Sequence, residues 1–153
     1  LMLTAGGVRV IEFNARFGDP ETQAILPRLR SDLLDLTERA TRPGGLGGAS
    51  LDWDDRVAVT LVLASAGYPD APRTGDAITG LGAVGGGVEL THAGTATRDG
   101  GFVTAGGRVL NVTALGGSFS AAREAAYAAA DGIGFEGRQL RRDIAQRAVE
   151  REA

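Results

Sequence analysis

Val10-Ile11-Glu12-Phe13-Asn14-Ala15-Arg16-Phe17-Gly18-Asp19-Pro20-Glu21-Thr22-Gln23 alternates apolar and polar side chains through Phe17 and then breaks at a Gly-Asp-Pro turn. Successive side chains of a strand point to opposite faces, so the alternation predicts Glu12, Asn14 and Arg16 on one face and Ile11, Phe13, Ala15 and Phe17 on the other. The second set reads as core and the first as chemistry. Pro20 suits the first turn of a helix through Glu21, Gln23, Ile25 and Leu26, which Pro27 ends or kinks.

Upstream, Leu1 to Thr4 and the residues from Val8 read as two strands joined by a turn at Ala5-Gly6-Gly7. A chain that starts inside a hairpin suggests a piece of a longer protein. Downstream, Ser31 reads as the N-cap of a second helix with Leu33, Leu36 and Ala40 on its apolar stripe. Thr41 to Ser50 is rich in Gly and Pro and reads as a flexible linker; no strand precedes its glycines, which argues against a dinucleotide loop. The pattern then turns mainly β. A Val/Leu-rich strand is expected at 56–65 and shorter ones at 77–79, 88–92, 102–104 and 109–115, separated by glycine turns, as in a compact sandwich or barrel-like sheet. A helix is expected from Ser118 or Ser120 to Ala130, and a short amphipathic one carrying Leu140, Ile144 and Ala148.

Composition narrows the chemistry. The 153 residues are 43% apolar with a net charge of -3, which offers no general attraction for nucleic acid or an anionic membrane. No run approaches the roughly 18–20 apolar residues of a membrane span. There is no leader-like segment at the N-terminus, so a cytoplasmic location is expected. Cysteine is absent, and all 16 basic residues are arginine. A Walker-type phosphate loop requires a lysine, so phosphate contacts must come from arginine, backbone amides or a metal.

On the polar face of the opening strand, Glu12 and Asn14 lie about 7 Å apart along the chain and can both reach one cation. A carboxylate and an amide oxygen are hard ligands suited to Mg²⁺ at phosphates rather than to zinc. Arg16 presents a planar fork for a carboxylate or phosphate, and Asp19 and Glu21 flank the helix start. Pattern alone favours the solvated face of an ordinary strand, and Asp19 before Pro20 is also a natural helix cap. Arg108, after Gly106-Gly107, fits either a phosphate cradle or a structural salt bridge. His92 reads as a hydrogen-bonded structural residue, and Trp53 and Tyr68 as packing groups.

Glu12 to Gln23 strongly resembles the signature of the glycinamide ribonucleotide synthetases (phosphoribosylamine–glycine ligases), an ATP-grasp family of purine biosynthesis. Further matching runs follow in order: Ser31-Asp32-Leu33, Trp53-Asp54-Asp55-Arg56, Gly67-Tyr68-Pro69, Thr74-Gly75-Asp76, His92-Ala93-Gly94-Thr95, Gly106-Gly107-Arg108-Val109-Leu110 and Val112-Thr113-Ala114-Leu115-Gly116. The resemblance covers essentially the whole chain.

It implies an α+β chain: residues 1–41 as the end of an ATP-grasp domain, 42–50 as linker, and 51–153 as a small, mostly β C-terminal domain with terminal helices. It also implies Glu12 and Asn14 as ligands of Mg²⁺ (or Mn²⁺) at the ATP phosphates. Arg16 would act on the glycine carboxylate or acyl phosphate, Asp19 and Glu21 on the substrate amino or ribosyl groups, and Arg108 on the ribose phosphate. The implied partners are glycine, 5-phosphoribosylamine and ATP, with no nucleic acid or membrane, and the complete enzyme is expected to be a monomer. No counterpart of the family's nucleotide-gripping half is expected within these 153 residues, so the chain alone is expected to be inactive. Two other readings remain: another ATP-grasp carboxylate–amine ligase, against which Phe17-Gly18-Asp19-Pro20-Glu21 argues, and a non-catalytic ribonucleotide-binding module.

Overall fold

In the computed structural model, which describes residues 1–152, Met2–Thr4 (β1) and Gly7–Arg9 (β2) form the expected antiparallel hairpin, with Met2 opposite Arg9. The strand expected beyond it does not form. Val10 to Arg16 joins no ladder, and the anticipated core face is open, with Ile11 65%, Phe13 91% and Phe17 60% exposed. A strand's hydrogen bonds come from its neighbours, and among the described residues no segment pairs with this one.

The turn at Gly18-Asp19-Pro20 leads into the helix Glu21–Ile25 (α1), which tightens into a 3-10 turn at Leu26–Arg28 around Pro27. The next helix, Leu33–Ala40 (α2), is capped by Asp32, whose carboxylate accepts from the N–H groups of Leu34 (2.8 Å) and Asp35 (3.1 Å). Ser31, the expected N-cap, is therefore not the cap; its hydroxyl accepts instead from the Asp52 N–H at 2.7 Å. The Gly-rich stretch after α2 is wound into consecutive turns, closed by Gly45 N–H to Arg42 O, Gly47 N–H to Gly44 O and Ala49 N–H to Leu46 O.

The chain returns from this excursion to where it left. The N–H of Arg30 donates to Asp52 O at 2.9 Å, and Leu29 bridges Trp53. Asp54 is buried at this closure and takes Arg56 at 2.7 Å and Arg30 at 3.4 Å. Hydrogen bonds from the Arg56 side chain and backbone, with Arg30 adding a smaller share, hold its carboxyl well below the usual carboxylate range. A carboxyl depressed in the folded state contributes stability that is fully present above the unfolded-state value of about 3.9 and is lost as pH falls through the lower folded value. Asp54→Asn is thus expected to lower the urea midpoint at neutral pH and to flatten the loss of stability below about pH 4. An acid limb as steep as the wild type's would assign the coupling to other groups.

The main sheet has Val57–Ala64 (β3) and Val88–His92 (β4) on either side of a central strand, Arg108–Gly116 (β7), all antiparallel. Thr95–Arg98 (β5) and Gly101–Thr104 (β6) form a separate hairpin across Asp99-Gly100, both with positive φ (51° and 79°), the backbone such tight hairpins require. The strand expected at 77–79 makes only isolated bridges, Ala77 to Val103 and Thr79 to Gly134.

Period-two alternation puts Val59, Leu61 and Leu63 of β3 opposite Ala114, Val112 and Leu110 of β7 on one face. All six are buried, and the helix Phe119–Asp131 (α3) covers them with Ala122, Ala126, Tyr127 and Ala130. Burying each Leu or Val here contributes roughly 1.5–3 kcal/mol. Alanines let α3 lie close to the sheet, and Gly116 makes room, since a Cβ there would sit 2.4 Å from the Ala122 N. Ser118 caps the helix by accepting from Ala121 N–H at 3.1 Å, as expected.

The last helix is Gln146–Glu152 (α4), later than the Leu140 to Ala148 spacing predicts. Gln139 is pinned to the β3 edge by paired backbone bonds with Ala64 (2.8 and 2.9 Å), and Ala145 adopts φ 60°, outside any right-handed helix. Leu140 and Ile144 nonetheless pack on the core, as their apolar character demands. Among the described residues no helix is long and apolar enough to cross a membrane.

Candidate functional site

The other face of the main sheet is polar. Thr60 and Val62 of β3 lie opposite Thr113 and Asn111 of β7, with Glu89 and Thr91 of β4 completing the row. The Thr60 and Thr113 hydroxyls bond at 2.9 Å, and the Asn111 amide donates to Thr91 Oγ1 at 3.3 Å. The helix α1 and its 3-10 extension pack over β3 and β7 on this unit, with Thr22, Gln23, Leu26 and Pro27 facing Glu89, Thr91 and Thr113 across a cavity of about 410 Å³. The helical end of the signature segment is therefore carried on the polar side of the same sheet that builds the core.

Within that segment no strand forms to define the expected polar face, but the Glu12 and Asn14 side chains meet: Asn14 Nδ2 lies 3.5 Å from Glu12 Oε1. Both are exposed. The Arg16 guanidinium bends back to its neighbour, donating to Phe17 O at 3.1 Å.

Gly18 is buried beneath the Glu21 side chain; a Cβ at this position would fall 1.5 Å from Glu21 Oε2. The Gly18 carbonyl accepts from the Thr22 N–H (2.9 Å) and hydroxyl (2.6 Å), which closes the turn into α1. Asp19 is not a side-chain cap of α1, whose N-cap is Pro20. Its Oδ1 accepts from Gln23 Nε2 at 3.0 Å, and its Oδ2 lies 3.2 Å from Arg108 Nη2.

Arg108 opens β7, and its Nη1 also donates to the Asp19 carbonyl at 3.0 Å. Two residues 89 positions apart are thus joined by a two-pronged contact between planar groups, the arrangement arginine makes best. Behind it, the Tyr68 ring packs against Gly107, where a Cβ would come within 2.5 Å of it. Tyr68 and Pro20 line a cavity of about 400 Å³ with Val62, Ala64, Leu140 and Ile144.

The structure brings Glu12 to Asn14 and Asp19 to Arg108; Arg16 and Glu21 lie on the same short segment. His92 is a structural residue, its Nδ1 2.9 Å from Thr95 Oγ1 and its ring 4.7 Å from that of Phe102. Sequence reasoning gave Gln23 no role, although its i,i+4 spacing from Asp19 was the available signal. Tyr68, read as a packing group, does pack, against Gly107 beside the signature turn.

Curated phosphoribosylamine–glycine ligases from Caldanaerobacter subterraneus subsp. tengcongensis and Ralstonia nicotianae are 51% and 47% identical to the chain over 145 and 152 residues. These matches take in 95% and 99% of the chain and 34% and 36% of the relatives, so the chain spans about a third of the length of the proteins it matches. The crystal structure of phosphoribosylamine–glycine ligase from Thermotoga maritima superposes with a TM-score of 0.71 at 37% identity, over 94% of this chain and 35% of that one. Residues 58–147, which take in β7, α3 and all of β3 but Val57, match the family described as phosphoribosylglycinamide synthetase, C domain, and the chain belongs to that family.

Proposed function

We propose that this chain is the C-terminal part of an ATP-dependent carboxylate–amine ligase that joins glycine to 5-phosphoribosylamine, yielding glycinamide ribonucleotide, ADP and phosphate. The observation that carries the reading is the signature segment 12–23, seated by Asp19 and Arg108 on a β unit of the matching family. In this reading residues 1–41 end an ATP-grasp domain, 42–50 connect, and 51–153 form the C-terminal domain of a cytoplasmic, monomeric enzyme.

The reaction requires two anions, ATP and a carboxylate, to approach each other. A glycine carboxylate oxygen attacks the γ-phosphorus, the bond to the ADP oxygen breaks, and glycyl phosphate results. The phosphoribosylamine nitrogen then attacks the glycyl carbonyl carbon, phosphate leaves, and the amine loses a proton. Neutralising the charge that builds up is the main electrostatic task. Arg16, exposed and free to swing from Phe17 O, can take the carboxylate or acyl phosphate in its fork. Glu21, exposed above Gly18, orients the amino or ribosyl group of the acceptor.

Glu12 and Asn14 fit a hard divalent cation such as Mg²⁺ or Mn²⁺: their side chains converge, both are solvent-facing, and turning the Asn14 amide over presents its oxygen beside the carboxylate. Bound there with ATP, the cation would supply charge neutralisation at the phosphates. Among the described residues no three His, Cys, Asp or Glu side chains gather, so this chain offers a pair of ligands rather than a cage.

Two assays test the reading. The isolated 153-residue chain is expected to give no glycine-dependent ADP formation, and appreciable turnover would reject the assignment of the remaining machinery to the rest of the ligase. In the complete protein, phosphate release is expected to require both glycine and phosphoribosylamine; release with a different amine acceptor alone would reject the substrate assignment.

A further inference from the structure

We infer that Arg108 is a positioning residue that acts through Asp19: it clasps the signature turn to the C-terminal β unit and so sets where Glu12, Asn14 and Arg16 are presented. The inference rests on the ligase reading for its catalytic consequence, but the clasp itself is a property of this chain. Between Val10 and Phe17 the segment has no strand partner, and its apolar side chains are exposed, so nothing local holds its direction. Its position depends on its two ends.

One end is the small hairpin β1–β2; the other is the turn at Gly18-Asp19-Pro20. That turn is held at several points. The Gly18 carbonyl takes two bonds from Thr22, Gln23 takes Asp19 Oδ1, and Arg108 takes both Asp19 Oδ2 and the Asp19 carbonyl. Pro20 also packs beside Val62, Ala64 and Leu140, but among the described residues the hydrogen bonds that tie Asp19 to a distant part of the chain come from Arg108, the first residue of the central strand. β7 is held on both sides by β3 and β4 and backed by α3, so Arg108 projects from the most constrained strand of the fold. The Tyr68 ring packed on Gly107 steadies the base of the Arg108 backbone.

Both carboxylate oxygens of Asp19 are engaged within the chain, and the Arg108 fork is filled by Asp19. A guanidinium so engaged is better placed to orient a neighbouring segment than to take a ligand phosphate. Misplacing reacting groups by about 1 Å can cost about a hundredfold in rate, so a clasp far from the chemistry is still felt there.

The test has two arms. In the 153-residue chain, backbone order parameters from ¹⁵N relaxation are measured for Phe17 to Glu21 in the wild type, Arg108→Ala, Asp19→Asn and the double variant. The single variants are expected to lower them from about 0.85 toward 0.6, with the double variant no lower than the singles. Unchanged order parameters in Arg108→Ala would overturn the clasp. Asp19→Asn removes no core group, so the comparison survives even if Arg108→Ala folds poorly.

In the complete ligase, Arg108→Ala is expected to lower kcat about ten- to a hundredfold while the KM for phosphoribosylamine stays within about twofold. Arg108→Lys, which keeps the charge but loses the fork, is expected to recover only part of that loss. A raised KM for phosphoribosylamine with kcat unchanged would overturn the inference in favour of direct phosphate contact. An inactive wild-type ligase would reject the ligase reading alone, and the relaxation arm would still decide the clasp.

Discussion

In the complete ligase, Glu12→Gln is expected to lower kcat/KM for Mg·ATP on the order of 10²–10³-fold, the scale of losing one main electrostatic group at a transition state. The substitution keeps the shape and removes the charge. With Asn14 already neutral, Glu12 is the only carboxylate of the pair, and its loss leaves two amides that hold a divalent cation poorly. Stability should not follow: Glu12 is exposed, and its one side-chain contact is with Asn14, so the folding free energy is expected to stay within about 0.5 kcal/mol of wild type. Steady-state rates across a Mg²⁺ titration, paired with urea melts, separate the two effects. Normal use of Mg·ATP by a folded Glu12→Gln variant would remove Glu12 from the metal site.

The second large effect is structural. Leu61 is fully buried in the middle of β3, paired with Val112 of β7 and part of the core that α3 covers. Leu61→Ala is expected to cost about 2–5 kcal/mol, because transfer energy is lost and neighbours fixed by the sheet register cannot collapse into the cavity. Domains of this kind are stable by only about 5–15 kcal/mol, so this single change should move the urea midpoint far with little change in slope. Leu34→Ala, on the exposed side of α2, is the control and should shift stability by less than about 0.5 kcal/mol. Similar midpoints for the two variants would mean that the sheet–helix core is not the main source of stability.

The elements most readable in the sequence are those whose side-chain pattern and burial coincide. The Val/Leu run of β3, the 109–115 part of β7 and the alanine-rich α3 behind Ser118 belong to this group: two layers share one core, so each residue's polarity reports its side. Val10 to Phe17 has an equally clear pattern, yet it forms no strand, because pairing depends on a neighbour rather than on the segment itself. β5 was overlooked because Thr-Ala-Thr-Arg is short and largely exposed; the Asp99-Gly100 turn beside it was the usable clue. Ser31 and Asp32 are both good caps by type, and the tie from Asp52 takes up Ser31 while Asp32 accepts from the helix N–H groups.

The candidate site divides in the same way. The nearness of Glu12 and Asn14 follows from local spacing, since they are two residues apart and their side chains meet even without a strand. The meeting of Asp19 with Arg108 spans most of the chain and depends on how α1 lies over the polar face of the sheet. For Arg108 the sequence allowed a phosphate cradle or a salt bridge, and spacing had no means of choosing between them.

The closure at Ser31 and Asp52 has a consequence for how this chain can vary. Since the backbone departs and re-enters at one hydrogen-bonded gate, secured by Asp54, α2 and its run of turns form a side branch off the main path. Lengthening such a branch costs only about 0.6 kcal/mol per doubling, and none of that cost is passed to the strands on either side. Residues can be gained or lost between Asp32 and Leu51 while the turn at Gly18-Asp19-Pro20 keeps its seat. The gate separates a part of the chain free to drift from a part that must stay in register.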